Sequence, residues 1–110
     1  MQDETKEKLI AVSLDAKLKI ITFEVVGVGL VSGVFARPAE ALRTSIMVNA
    51  YGVILLHNHP SGDPTPSDED KAFTQQIKRS CDDLGIKLHD HIIIGSDRFF
   101  SFDDEGLIQS

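Results

Sequence analysis

His57-Asn58-His59-Pro60-Ser61-Gly62-Asp63-Pro64-Thr65-Pro66-Ser67-Asp68-Glu69-Asp70 is the stretch that decides the fold. It follows an apolar run, Tyr51 to Leu56, that reads as a buried strand, and it ends in a helix start. The three prolines and one glycine between the second histidine and Ser67 make a rigid loop. Two histidines one residue apart at a strand end share the two-residue strand period, so both can face one point. A zinc ion needs that arrangement, with imidazole nitrogens converging at about 2.0–2.1 Å.

A third ligand is expected from the helix. Its apolar stripe is Phe73, Ile77, Cys81 and Leu84. At about 100° per residue, Asp70 lies within roughly 60° of every member, so its carboxylate is aimed at the core. A lone buried charge costs several kcal/mol and is therefore paired or coordinates a metal. His57, His59 and Asp70 would supply three ligands and leave a fourth position for water, the layout of a catalytic zinc site rather than a closed structural one. Ser67-Asp68-Glu69-Asp70 also fits a capping box, with serine at the N-cap and an acid at N3. The two readings are compatible, because Ser67 can cap the helix while its hydroxyl serves the site.

His57-x-His59, seven residues, Ser67, two residues, Asp70 resembles the JAMM (MPN-plus) metalloprotease signature. The flanking Ile54-Leu55-Leu56-His57-Asn58-His59-Pro60-Ser61-Gly62-Asp63-Pro64 is similar to the RadC branch of that family. So are Leu14-Asp15-Ala16-Lys17, Pro38-Ala39-Glu40, Asp90-His91-Ile92-Ile93-Ile94-Gly95 and Phe100-Ser101-Phe102, which extend the resemblance from about Lys8 onward. The resemblance implies zinc as cofactor and hydrolysis of a peptide or isopeptide bond, which makes a peptide or protein the expected substrate. It also implies a glutamate on an early strand facing the metal-activated water. Glu24 is the local candidate, the only charged residue from Ile20 to Ala36. On its residues alone it could equally be a surface acid on an edge strand. Glu40 is an alternative, but it falls in the first turn of a helix, where the dipole favours acids. In this scheme Glu24 takes the proton from water and passes it to the leaving nitrogen. Ser67 donates to the oxyanion, an effect worth roughly 10²–10³-fold for one donor. Full-length RadC-like proteins carry a helix-hairpin-helix region before the metal domain, so this chain corresponds to an excised domain or to a short member.

The 110 residues suit one domain spanning 1–110, with 1–7 polar and expected to fray. Hydrophobic content of 42% and charged content of 25% are ordinary for a globular protein. Eleven Lys and Arg against seventeen acids give a net charge of −6, which argues against the basic surface of a nucleic-acid binder. Nothing in the residues supports the DNA-repair role attached to RadC-like chains. Cys81 is the only cysteine, so no intrachain disulfide can form, which fits a reducing cytoplasm. On the apolar helix face it reads as a small hydrophobe. No signal peptide and no run of about 20 apolar residues is present, so a membrane is not an expected partner. The residues do not imply an oligomeric state.

In order, the chain reads as a strand over Lys8 to Asp15, a turn at Ala16-Lys17, and a strand over Leu18 to Val26. An apolar segment follows, Gly29 to Phe35, and then a helix opened by Arg37-Pro38. That helix has the stripe Ala39, Leu42, Ile46, Met47 and Ala50, which accounts for Met47 as core. Gly85 reads as a C-cap. The strand Ile86 to Ile94 has Ile86, Leu88, Ile92 and Ile94 in alternation, with Asp90 on the same parity. His89 and His91 repeat the His-x-His spacing without a matching acid, so a second centre is not expected; the resemblance, through the Asp-His pair that RadC-like chains share, implies instead that Asp90 or His91 lines the cleft. A last strand covers Arg98 to Phe102, and Asp103-Asp104-Glu105 reads as a solvated face. This order predicts an α/β domain, a mixed curved β-sheet with helices packed against it, the type of fold the JAMM resemblance implies.

Three other function classes compete. A DNA-associated metallonuclease is suggested by the letters His57-Asn58-His59, but nucleases named for those letters spread them over a longer hairpin-helix motif. A zinc deaminase would need a Cys-x-x-Cys ligand pair, which is missing. A non-catalytic, zinc-stapled interaction module would not need Glu24 and Ser67.

Overall fold

The structure is a computed structural model and describes residues 7–28 and 37–108. The predicted segment Gly29 to Phe35 lies outside them. The elements are β1 (Lys8–Leu14), β2 (Ile20–Val28), α1 (Pro38–Met47), β3 (Gly52–Asn58), α2 (Asp68–Leu84), β4 (Lys87–Ile94) and β5 (Phe99–Ser101). They build one five-stranded sheet in the order β2-β1-β3-β4-β5. β3 and β4 are parallel and the remaining pairs antiparallel, so the sheet is mixed, as the element order predicts. α2 is the crossover that a parallel pair requires.

The β1–β2 hairpin is tied by Asp15, whose Oδ1 accepts the N–H groups of Lys17 and Lys19 at 2.8 and 2.9 Å. Leu18 completes the turn in the left-handed region at φ 65°. The hairpin pairing shifts at Leu9/Ile10 and Ser13/Leu14, whereas the β1–β3 register is unbroken. Leu9, Ala11 and Ser13 share a face with Val53, Leu55 and His57 opposite them. Both helices cover that face. Ser13 Oγ meets Ser45 Oγ of α1 at 2.8 Å, and Leu9, Ala11, Val53 and Leu55 pack with Leu42, Ile77 and Cys81 in one buried cluster. Burying each large aliphatic side chain there is worth about 1.5–3 kcal/mol.

Two sequence expectations change. α1 buries Ala41, Leu42 and Ser45, whereas Met47 is 79% exposed and Ile46 49%. The helix is turned by about 100°, one residue step, from its apolar stripe, because small side chains let it sit close to β1. In β4 the pairing steps from Leu88 opposite Val53 to Asp90 opposite Ile54, a bulge that absorbs His89. Beyond it the parity reverses, so His91 and Ile93 are buried and Ile92 and Ile94 only half-buried. α2 keeps its predicted frame, with Asp70, Thr74, Ile77 and Cys81 inward, although Leu84 at its last turn is half exposed. Gly85 ends it at φ 74° with its N–H on Asp82 C=O, and the Ile86 N–H reaches Cys81 C=O.

Candidate metal centre

His57 lies opposite Leu9 on the helix-covered face and is fully buried. Strand alternation takes Asn58 to the other side, where its Oδ1 accepts the Lys8 N–H at 2.6 Å. His59 follows just past the strand, with its backbone N–H donated to Ile94 C=O at 3.0 Å. Its ring faces the Asp63 carbonyl through Nδ1 at 2.8 Å. A carbonyl has no proton, so Nδ1 carries the hydrogen and Nε2 is turned to the site. The loop that supplies Asp63 is pinned at Gly62, φ 89°, whose carbonyl accepts the Ser96 N–H at 2.9 Å. A Cβ there would run into the Ser96 side chain.

Ser67 caps α2. Its Oγ accepts the Asp70 N–H at 3.0 Å, and its own N–H donates to Asp70 Oδ2 at 2.8 Å, the reciprocal pair of a capping box. The same Oδ2 is 3.0 Å from His59 Nε2, and Oδ1 is 3.6 Å from His57 Nε2. The capping acid of the helix is thus also the acid between the two histidines. Ser67 is an exposed residue whose hydroxyl oxygen accepts in this bond, which leaves its proton for another acceptor.

A fourth side chain arrives from outside the predicted set. Glu7 precedes β1 on the parity of Leu9, and the β1–β3 pairing of Leu9 with His57 carries it to the site. Ligand atoms of Glu7, His57 and His59 all lie within 4.8 Å of one another. Glu7 Oε2 is a buried side-chain oxygen with no hydrogen-bond partner among the described residues. Two imidazoles with unbonded carboxylate oxygen beside them form a cluster that can hold a metal ion.

Electrostatics prepares these groups for that task. Burial pushes the His57 imidazolium down to about 4 against the pull of Asp70. Burial also works to raise Asp70, but the hydrogen bonds from His59 and the Ser67 N–H, with His57 nearby, outweigh it and hold the carboxyl at about 2. The hydrogen bond to Asp70 raises His59. Burial raises Glu7, with His59 opposing and Asp70 adding to the rise. At neutral pH the site offers a neutral His57 and an ionised Asp70, the states that metal ligation uses.

Glu24, the candidate base in the sequence, is placed elsewhere. Its carboxylate accepts from Arg43 Nη2 at 2.7 Å and from Thr44 Oγ1 at 2.5 Å, both on α1. It sits on the edge strand in the row of Ala11 and Leu55, two strands across and two residues along from His57. That is about 12 Å between backbones at ordinary sheet spacings. Arg43 and Thr44 account for its isolation in sequence: Glu24 docks a helix on the sheet edge.

His91 and Asp90, the residues expected at the cleft, are both engaged in hydrogen bonds within the fold. His91 is wholly buried behind His57, its Nε2 3.0 Å from His57 Nδ1. Asp90 holds β5 to β4, accepting from Ser101 Oγ at 2.6 Å and from the N–H groups of His91 and Asp103 at 2.7 and 3.0 Å. The bulge at His89 breaks the strand alternation that would set His89 and His91 on one face. Cys81 is a core residue, its thiol pushed up to about 11 by burial.

No helix among the described residues is long and apolar enough to cross a membrane. The family model for a RadC-like JAB domain matches residues 1–107. Among curated proteins the chain is similar to a UPF0758 protein of Aquifex aeolicus, 43% identical over 106 residues, covering 96% of this chain and 46% of that one. It is also similar to the UPF0758 protein Mbar_A2303 of Methanosarcina barkeri, 41% identical over 109 residues, 99% of this chain and 48% of the relative. A UPF0758 protein of Streptococcus thermophilus is 46% identical over 103 residues, 94% and 45% respectively. The chain spans a little under half the length of these relatives.

Proposed function

The chain belongs to the RadC-like JAB domain family, and we propose that it is a metal-dependent hydrolase that cleaves an amide bond, peptide or isopeptide, in a protein substrate. His57, His59 and Asp70 are the metal ligands in this reading, and zinc is the metal that best suits two imidazoles and a carboxylate. When bound, zinc supplies Lewis acidity and lowers the pKa of water toward 7. The protein residues do the rest. Asp63 and Ser67 hold the ligand side chains through the His59 ring and the Asp70 carboxylate. Glu7 Oε2 takes the proton from the attacking water and returns it to the departing amine nitrogen. The Ser67 O–H, free to donate while its oxygen caps α2, bonds to the carbonyl oxygen as negative charge develops on it.

Two observations carry this reading: the ligand atoms of Glu7, His57 and His59 lie within 4.8 Å of one another, and the Asp70 carboxylate stands 3.6 and 3.0 Å from the Nε2 atoms of the two histidines. The experiment is a quenched-peptide library assayed with added zinc beside a DNA-nicking assay, with metal content measured on the same sample. Peptide cleavage that disappears on chelation and returns with zinc is expected. Stoichiometric zinc with neither activity would reduce the centre to a structural staple, and DNA cleavage would replace the substrate class.

A further inference from the structure

A line of buried polar contacts leads away from the site: His57 Nδ1 to His91 Nε2 at 3.0 Å, His91 Nδ1 to Thr74 Oγ1 at 2.6 Å, and Thr74 Oγ1 to the Asp70 carbonyl at 2.8 Å. All three side chains are fully buried. The proton positions along this line follow from its far end. A carbonyl oxygen only accepts, so the single Thr74 hydroxyl proton goes to Asp70 C=O. The contact between Thr74 and His91 must then be donated by His91 Nδ1–H. A neutral His91 therefore presents a bare Nε2, and His57 must donate to it through Nδ1–H. That leaves the lone pair of His57 on Nε2, the nitrogen that faces Asp70. The 3.6 Å separation of His57 Nε2 from Asp70 Oδ1 agrees, since an N–H directed at a carboxylate would close to about 2.8 Å.

We propose that His91 and Thr74 are positioning residues that lock His57 in the Nδ1–H tautomer and aim its Nε2 lone pair into the site. The His91 ring is itself held, stacked on Phe102 at 4.8 Å and 6° between planes and met edge-on by Phe73 at 6.3 Å. A histidine that could rotate would not transmit a fixed proton order. The backbone of Asp70 anchors one end of the line and its carboxylate faces the other, so one residue of α2 sets both the third ligand and the tautomer of the first.

The consequence for metal affinity rests on the proposed ligand set; the tautomer does not. The test therefore begins with metal-free protein labelled with ¹⁵N-histidine at pH 7. Long-range ¹H–¹⁵N spectra should show Nδ1–H on both His57 and His91. A proton on His57 Nε2 would overturn the proposal. Zinc affinity is then measured by competition with a fluorescent chelator. His91→Gln can accept from His57 through its amide oxygen and donate to Thr74 through its amide nitrogen, and it should stay within a few-fold of wild type. His91→Leu can do neither and should lose roughly 10–100-fold. Equal affinities for the two variants would refute the role. Should the leucine variant fail to fold, Thr74→Val keeps the shape and removes only the end of the line. It should mix the His57 tautomers in the same spectra, and a pure Nδ1–H signal would count against the proposal. Wild-type protein with the expected tautomers that binds no zinc would uphold the lock and defeat the metal reading instead.

Discussion

Replacing Glu7 and Glu24 in turn by glutamine separates two assignments of the catalytic base. Each change keeps the shape and removes only basicity and charge. Glu24 sits on an edge strand, and its partner Arg43 is more than half exposed. Screened pairs of this kind contribute little, and the amide oxygen of glutamine can still accept from Thr44. Glu24→Gln should move the melting temperature by no more than a few degrees and leave metal binding and turnover intact. Glu7 is different: its Oε2 is buried and unbonded, close to Asp70 and both histidines. A neutral amide there relieves desolvation and repulsion from Asp70, so metal-free Glu7→Gln should be at least as stable as wild type. As the proton carrier, however, Glu7 is expected to contribute about 10²–10⁴-fold to the rate. The assay is peptide hydrolysis at matched zinc occupancy, with melting curves on the same preparations. A Glu24→Gln variant that keeps zinc and fold but loses turnover, beside an active Glu7→Gln, would refute the placement of the base at Glu7.

Ser67→Ala removes the cap oxygen and should cost about 1 kcal/mol of stability; a concurrent drop of about 10²-fold or more in turnover at full zinc occupancy is expected from the lost oxyanion donor, and an unchanged rate would leave only the cap. In metal-free protein, His57 and His91 are held near 4 and 3 by burial, below the ordinary histidine value of 6.5. Their depressed values mean that the unfolded chain takes up the protons first, so stability should fall as pH drops from 6.5 toward 4, with a limiting slope of about 2.7 kcal/mol per pH unit for two groups. Asp70, held near 2, adds its loss only below the ordinary carboxyl range. Urea midpoints at pH 7.5, 6 and 5 test this, and a flat series would contradict it. Leu18 is 61% exposed and sits in the left-handed region at φ 65°. Leu18→Asn should stabilise the hairpin by about 1 kcal/mol, read as a higher denaturation midpoint, and no gain would mean that the turn carries no strain.

The elements that could be read from the sequence are those whose signals are local. The α2 cap needs only four consecutive residues, Ser67 to Asp70, and the α2 stripe is large enough to set its buried face. Gly85 stops the helix by its own backbone freedom. The misread elements depend on partners far along the chain. α1 turns Ala41 and Ser45 inward because β1 offers Ser13 at the matching height, and hydrophobicity ranks Met47 and Ile46 above both. β4 reads as one alternating strand because the residue names carry no sign of the bulge at His89; it exists only in the pairing with β3. Asp90 breaks the apolar alternation for that reason: it lies on the face where β5 supplies the Ser101 hydroxyl.

The same division runs through the site. His57 and His59 are neighbours on one strand end, and Asp70 is tied to them by the cap it shares with Ser67, so spacing alone assembles three side chains. The fourth is set by register. Glu7 precedes the first hairpin and Glu24 lies within its second strand, and composition favours Glu24, alone among apolar residues, over Glu7 in the charged N-terminal stretch. Pairing reverses that preference. β1 lies between β2 and β3, so a residue at the start of β1 is one strand from His57 while any residue of β2 is two strands away. With Leu9 opposite His57, parity puts residue 7 on the buried face at the end of the strand where the histidines emerge. Glu24 shares the face but lies back along the sheet, where α1 has already paired it. The usable signal was the parity of Glu7 with Leu9, Ala11 and Ser13, which gains meaning only once β1 is known to run antiparallel beside the histidine strand.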